Sequence, residues 1–292
     1  MVLAAIDIGS NAARLLIMQV QQYENGQIDY TKLNFLRVPL RLGTEVFTSG
    51  KISESKTLEL TDTLKIYALL MKLYKVDDYK ACATSAMRDA ENGTEVAAAV
   101  KKETGIEIQI ISGSEEADII YQTHIADNLS ASGSYLYIDV GGGSTELILF
   151  SKGKIVFKES FNIGTLRLLN HRVSDGQWKC LKDFVKKQTK AQPDLKAIGS
   201  GGNINKIRSI SGLKQEKLMS SDLLNTYYKE LKRLSTPERM HLYNLRSDRA
   251  DVLVPALRIY TSILRWTGIT EIYIPKIGLS DGLIRMLFSE HK

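Results

Sequence analysis

Two segments of this chain carry the same arrangement of reactive side chains. Ile6-Asp7-Ile8-Gly9-Ser10-Asn11 and Ile138-Asp139-Val140-Gly141-Gly142-Gly143-Ser144-Thr145 each run from an apolar stretch through a carboxylate into a glycine turn. An apolar run follows each turn at once, Leu15-Leu16-Ile17-Met18 in the first and Leu147-Ile148-Leu149-Phe150 in the second. The pattern predicts two β-hairpins of one design. Glycine lets backbone N–H groups approach an anion, and a neighbouring Ser10, Asn11 or Ser144 adds a donor, so phosphate is the natural guest. Asp7 and Asp139 would repel a bare phosphate, which makes sense of a divalent cation, Mg²⁺ or another, held between carboxylate and phosphate oxygens. A lone Asp before a glycine is often just a turn residue. Two copies heading two similar half-chains point instead to two lobes that face one cleft.

Other residues suit the same chemistry. Glu146 follows the second turn and would position a metal or a water, unless it is only the solvent-facing member of a strand alternation. Arg14 closely follows Ser10-Asn11, and Arg88 lies just after Ala83-Thr84-Ser85. Arginine offers phosphate a planar bidentate fork, and Thr84 and Ser85 add hydroxyls; Arg14 also reads as a solvated strand residue. Glu115 and Glu116 open a helix, where the helix dipole favours acidic residues whatever their function, so position alone does not assign them a role. Gly201 and Gly202, within Gly199-Ser200-Gly201-Gly202-Asn203, suit a further phosphate or a nucleotide sugar at a helix start. That loop has neither Walker nor Rossmann spacing, and a tight turn into a helix is the alternative.

The elements that must position these residues follow from periodicity. Strands are expected at 3–8, 14–20, 29–38, 79–83, 106–111, 154–161, 195–198 and 271–274, besides the second hairpin. Helices are expected at 53–74, 94–104, 114 to about 128, 165–170, 175–189, 220–233, 236–242, 247–266 and 281–289. The small, polar segment 128–134 marks a domain crossing, giving lobes 1–130 and 131–292. With 292 residues, 43% hydrophobic and 25% charged, the chain has room for two ordinary cores. A net charge of +6 favours polyanions without naming one. Cys82 and Cys180 lie far apart, and the four histidines show no metal-ligand spacing, which excludes a disulfide framework, a zinc site and a histidine-held metal. The apolar run after Met1 is too short for a signal peptide or a membrane span, so a cytoplasmic protein is expected.

Taken together, the two hairpins, Arg14-Leu15, Ala83 to Arg88, Ile111-Ser112-Gly113-Ser114-Glu115-Glu116-Ala117, the glycine loop at 199–203, Arg249-Ala250-Asp251-Val252-Leu253 and Gly278-Leu279-Ser280-Asp281-Gly282 resemble the exopolyphosphatase and guanosine pentaphosphate phosphatase family. The resemblance implies an α/β fold of two ribonuclease-H-like lobes, as in actin, Hsp70 and sugar kinases, around a central cleft. It further implies Glu116 as the catalytic base acting on water, Asp139 and Glu146 at Mg²⁺ and water, and Arg88 on phosphate. The expected reaction is hydrolysis of terminal phosphoanhydrides in inorganic polyphosphate, or in guanosine pentaphosphate. A guanosine tetra- or pentaphosphate sensor and a phosphotransferase are the competing classes. Neither a membrane nor a specific nucleic acid is expected as a partner, and the apolar C-terminal helices together with the resemblance suggest a homodimer. Ala12 stands where the family usually has serine, Asn203 where threonine is common. The C-terminal helical domain of longer members would not fit, which favours short polyphosphate chains.

Overall fold

The structure, a computed structural model, describes residues 1–121, 123, 133–192, 194–214 and 218–291. Segment 128–132, the core of the expected crossing, and the expected extension of a helix to about 128 lie outside them. The contacts divide the chain into one unit of Met1–Thr123 with Gly278–Lys292, and a second of His124–Ile277. The last fifteen residues thus group with the first unit, whereas the sequence pattern assigns them to the second lobe.

The first unit runs β1 (Val2–Ile8), β2 (Ala13–Gln22), β3 (Ile28–Val38), α1 (Leu42–Ser49), α2 (Glu54–Leu73), β4 (Asp78–Ala83), α3 (Ser85–Asp89), α4 (Gly93–Thr104), β5 (Gln109–Ile110) and α5 (Gly113–Tyr121). Its sheet has the order β3-β2-β1-β4-β5, with β1, β2 and β3 antiparallel and β1, β4 and β5 parallel. Strand β1 is buried almost throughout, the mark of a central strand covered on both faces. Helix α2 starts at Ser53, whose hydroxyl accepts from Lys56 N, and buries Leu60, Leu64, Tyr67 and Met71 at helical spacing. The Tyr67 hydroxyl donates to Ala13 O at 3.0 Å and ties the helix to β2. The strand expected at 106–111 shrinks to two residues. Upstream of it the Tyr79 hydroxyl contacts Gly105 O and Glu107 N in place of a backbone ladder.

The second unit runs β6 (Ser134–Val140), β7 (Thr145–Ser151), β8 (Lys154–Phe161), α6 (Thr165–Leu169), α7 (Asp175–Thr189), β9 (Lys196–Ser200), α8 (Gly202–Ile210), β10 (Met219–Ser220), α9 (Ser221–Arg233), α10 (Thr236–Tyr243), α11 (Ser247–Ala250), α12 (Leu253–Thr267) and β11 (Glu271–Tyr273). Its sheet order is β10-β11-β9-β6-β7-β8. Read from the other edge, β8-β7-β6-β9-β11 repeats the first unit's order and adds β10. Leu136, Ile138, Leu147 and Leu149 of the sheet share a core with Leu253, Leu257, Tyr260 and Ile263 of α12. The single helix expected over 247–266 is broken at 251–252. Pro255 in the first turn of α12 has no N–H, and its ring crowds the carbonyl four residues earlier, so the helix restarts there.

The chain then returns to the first unit as α13 (Leu279–Glu290), which lies against β1, β2, β4 and α5 and buries Leu283, Ile284 and Leu287. Gly282 lets α13 approach α5: a Cβ there would stand 2.1 Å from Ile119 O. Because the obstacle is backbone, Gly282→Ala must push the two helices apart, and we expect it to cost about 1–3 kcal/mol. Its unfolding midpoint in denaturant, compared with that of the parent protein, checks this. Among the described residues no helix is long and apolar enough to cross a membrane.

Candidate phosphate and cation site

The two hairpins match residue for residue. Each turn has four residues, Gly9 to Ala12 and Gly141 to Ser144, and each is closed by one backbone bond, Gly9 N to Ala12 O at 3.0 Å and Gly141 N to Ser144 O at 2.9 Å. In each unit, the helix after the third strand holds the turn by its carbonyls. Gly43 N and Arg41 N donate to Ser10 O and Asn11 O in the first. In the second, Thr165 N and Leu166 N donate to Gly141 O and Gly142 O, and Arg167 Nε donates to Gly143 O at 2.7 Å. In a trans peptide the N–H points opposite to the C=O. The N–H groups of Asn11 and Ala12, and those of Gly142, Gly143 and Ser144, therefore point away from the helices that bind the carbonyls. Successive amides turned one way form an anion-binding concavity. The sequence pattern showed the turns but not their anchors in α1 and α6.

The hairpins differ at one informative place. Asp7 lies directly across from Arg14, and Asp139 directly across from Glu146. In the first unit the Arg14 guanidinium donates to the Asp7 carboxylate, so the residues expected as metal ligand and phosphate contact are bonded to each other. In the second, two carboxylates occupy the equivalent positions on one sheet face, where like charges repel. Glu146 is buried and accepts from Ser160 Oγ across β8 at 2.9 Å. It is not the solvent-facing member of its strand. Asp139 meets Gly201, whose φ of +98° suits glycine and where a Cβ would stand 2.7 Å from Asp139 Oδ1. Gly202 lies against the Arg249 guanidinium, an arginine that the sequence offered only as part of a motif. Beneath them, the Tyr260 hydroxyl reaches the carbonyls of Ile138 and Ser200 where β6 and β9 end. Burial, and then the Asp139 charge, push the Tyr137 and Tyr260 phenols well up, so both stay protonated.

Among the described residues no group of three or more His, Cys, Asp or Glu stands together to hold a metal unaided. Mg²⁺ usually takes one or two carboxylates and completes its octahedron with waters and phosphate oxygens. The opposed Asp139 and Glu146 beside the glycine turn fit that mode.

In the first unit Ser10 Oγ and Ser85 Oγ are bonded at 2.8 Å, joining the turn to the start of α3. Thr84 is buried beside them, and Arg88 Nη1 donates to Ile111 O at 2.8 Å, next to the start of α5. There the structure separates the two glutamates. Ser112 N donates to Glu115 Oε2 at 2.7 Å and Glu115 N to Ser112 Oγ at 3.1 Å, a reciprocal cap that holds the Glu115 carboxyl below its ordinary pKa. Glu116 is half-buried, with Oε2 shut away from solvent, and takes no part in that cap. Cys82, directly beside Asp7 in the sheet, has its thiol pushed up to about 12 by burial first and then by the charge of Asp7, with Glu115 and Glu116 adding to it. The thiolate is the reactive form. Folded protein at pH 8 should therefore be alkylated at the exposed Cys180 alone, and at both cysteines in denaturant; thiol titration under the two conditions checks this.

The Ppx/GppA phosphatase family profile matches residues 20–291. Exopolyphosphatase 1 of Mycobacterium tuberculosis is 26% identical, over 99% of this chain and 89% of that one. The guanosine-5'-triphosphate,3'-diphosphate pyrophosphatase of Aeromonas hydrophila is 24% identical, over 96% of this chain and 58% of that one. The crystal structure of the Aquifex aeolicus Ppx/GppA family member superposes with a TM-score of 0.78 at 25% identity, covering 100% of this chain and 99% of that one. An exopolyphosphatase structure from Cytophaga hutchinsonii gives 0.85 at 23% identity, covering 99% and 98%, and bears on the fold alone. The α/β fold with two ribonuclease-H-like units, of the actin, Hsp70 and sugar-kinase type, is as expected. With its paired hairpins, its glycine loop and a match over nearly its whole length, the chain belongs to the Ppx/GppA phosphatase family.

Proposed function

We propose that this phosphatase releases orthophosphate from the end of inorganic polyphosphate, with Mg²⁺ or another divalent cation as cofactor. The observation that carries the reading is the single difference between the matched hairpins: Asp7 faces an arginine, Asp139 a second carboxylate. One hairpin therefore suits an anion and the other a cation, and a metal-bound phosphate needs both. Asp7 orients Arg14 toward phosphate oxygens and is not itself a metal ligand. Asp139 and Glu146 hold the cation, with Ser160 fixing Glu146. When bound, the metal neutralises the charge that grows on the transferring phosphoryl group.

The turn amides at Ser10 to Ala12 and Gly142 to Ser144, with Arg88, Thr84 and Ser85, bind phosphate oxygens without needing to reorganise. Gly201 and Gly202 take a further phosphate of the chain. Glu116, which the cap at Ser112 does not use, accepts the proton of the attacking water. The excess of Lys and Arg favours polyphosphate. The relatives named for guanosine pentaphosphate chemistry make that nucleotide the second substrate to try.

The test is phosphate release from polyphosphate and, separately, from guanosine pentaphosphate, with and without Mg²⁺. Metal-dependent release from polyphosphate is expected. Release from the nucleotide alone would reassign the substrate, and binding of either without release would favour a sensor.

A further inference from the structure

We propose that the solvent face of α2 pairs with the same face of a second copy of this chain, antiparallel and about a two-fold axis. Leu58, Ile66, Leu69 and Leu73 stand on successive turns of α2, opposite the buried row Leu60, Leu64, Tyr67 and Met71, and are between 51% and 75% exposed. Single exposed leucines are ordinary, but four aligned along a helix about 30 Å long form a continuous apolar strip. The C-terminal helices, from which a homodimer seemed expected, offer no such strip: after Ser220, Leu242 is the one large apolar side chain exposed among the described residues.

Charge along α2 chooses the occupant. Glu54, Glu59 and Asp62 lie in its first half, Lys65 and Lys72 in its second. Lys56, the exception, is bonded to Glu59 at 2.6 Å. A parallel copy would set like charges together, whereas an antiparallel copy sets the acidic half against the basic half. Placing Leu58 opposite Leu69 of the other copy puts Asp62 opposite its Lys65 and Glu54 close to its Lys72. The two-fold axis repeats each contact, as an isologous interface requires. Within its own chain Lys65 meets Asp62 and Glu103 only at 3.8 Å each, contacts loose enough to yield to a partner. This surface is independent of the phosphate chemistry.

The test is the oligomeric state of the full chain, by light scattering or sedimentation from about 1 to 100 µM, a range in which interfaces of modest size populate dimers. A concentration-dependent species of twice 32.7 kDa is expected. Leu69→Glu should leave only the monomer, with the helical circular dichroism unchanged. Asp62→Lys alone and Lys65→Asp alone should each weaken the dimer about tenfold or more, because each sets like charges opposite one another. The double exchange Asp62→Lys with Lys65→Asp should return it to within a few-fold of the parent. A parent protein that stays monomeric, or a dimer that Leu69→Glu leaves intact, overturns the proposal. A double exchange no better than the singles overturns the antiparallel pairing.

Discussion

Glu116→Gln should retain substrate binding and lose about 10²–10⁴-fold in turnover, the usual cost of removing a general base. The exchange keeps the shape of the side chain and removes only its capacity to take a proton. It leaves the start of α5 alone, because the cap there is made by Ser112 and Glu115. Glu115→Gln is therefore the matched control: same chemistry, adjacent position, a small loss of helix stability and nearly parental turnover. Steady-state kinetics on both variants, with a direct binding measurement on the first, separate the two carboxylates. If Glu116→Gln turned over like the parent, the base would have to be sought elsewhere.

The second large effect concerns the opposed carboxylates. Asp139→Asn should raise the Mg²⁺ concentration needed for half-maximal activity by at least about tenfold, since Mg²⁺ relies on one or two carboxylates. The variant has a second signature that needs no turnover. Without metal it should be more stable than the parent by about 0.2–1 kcal/mol, because one of two like charges on facing strands is gone. Added Mg²⁺ should stabilise it less than the parent, because a ligand that binds the folded state raises stability with its affinity. Thermal unfolding with and without Mg²⁺ measures both. Asp7→Asn should instead lose its partner Arg14 and leave the Mg²⁺ requirement unchanged. An unchanged requirement in Asp139→Asn would remove that residue from the cation site.

Much of this was legible in the chain. Apolar runs flanking Asp and glycine predicted both hairpins, and four-residue turns on both sides already imply that Arg14 and Glu146 occupy matching places opposite their aspartates. The Ser112-x-x-Glu115 spacing is a capping signature, and it could have told Glu115 from Glu116. Other features left little trace. Helix α1 is short, contains Gly43 and two threonines, and begins at Arg41 in a left-handed conformation with no side-chain cap, so no start signal marks it. Helix α6 begins at Gly164, also without a side-chain cap, so the donors that orient the second turn were not foreseeable as such. The ladder expected from Ile106 was displaced by a tyrosine hydroxyl, a tertiary contact that no local pattern encodes.

The return of α13 to the first unit has a consequence for how the chain is made. The second unit is continuous, and every strand of its sheet has left the ribosome before α13 is translated. The first unit is not: Leu283, Ile284 and Leu287, which cover β1 and its neighbours, are among the last residues added. Domains generally fold as units as they emerge, the N-terminal one first. Here that order is inverted at the finish, because the half that begins the chain must wait, with apolar surface uncovered, until the half that follows it has been completed.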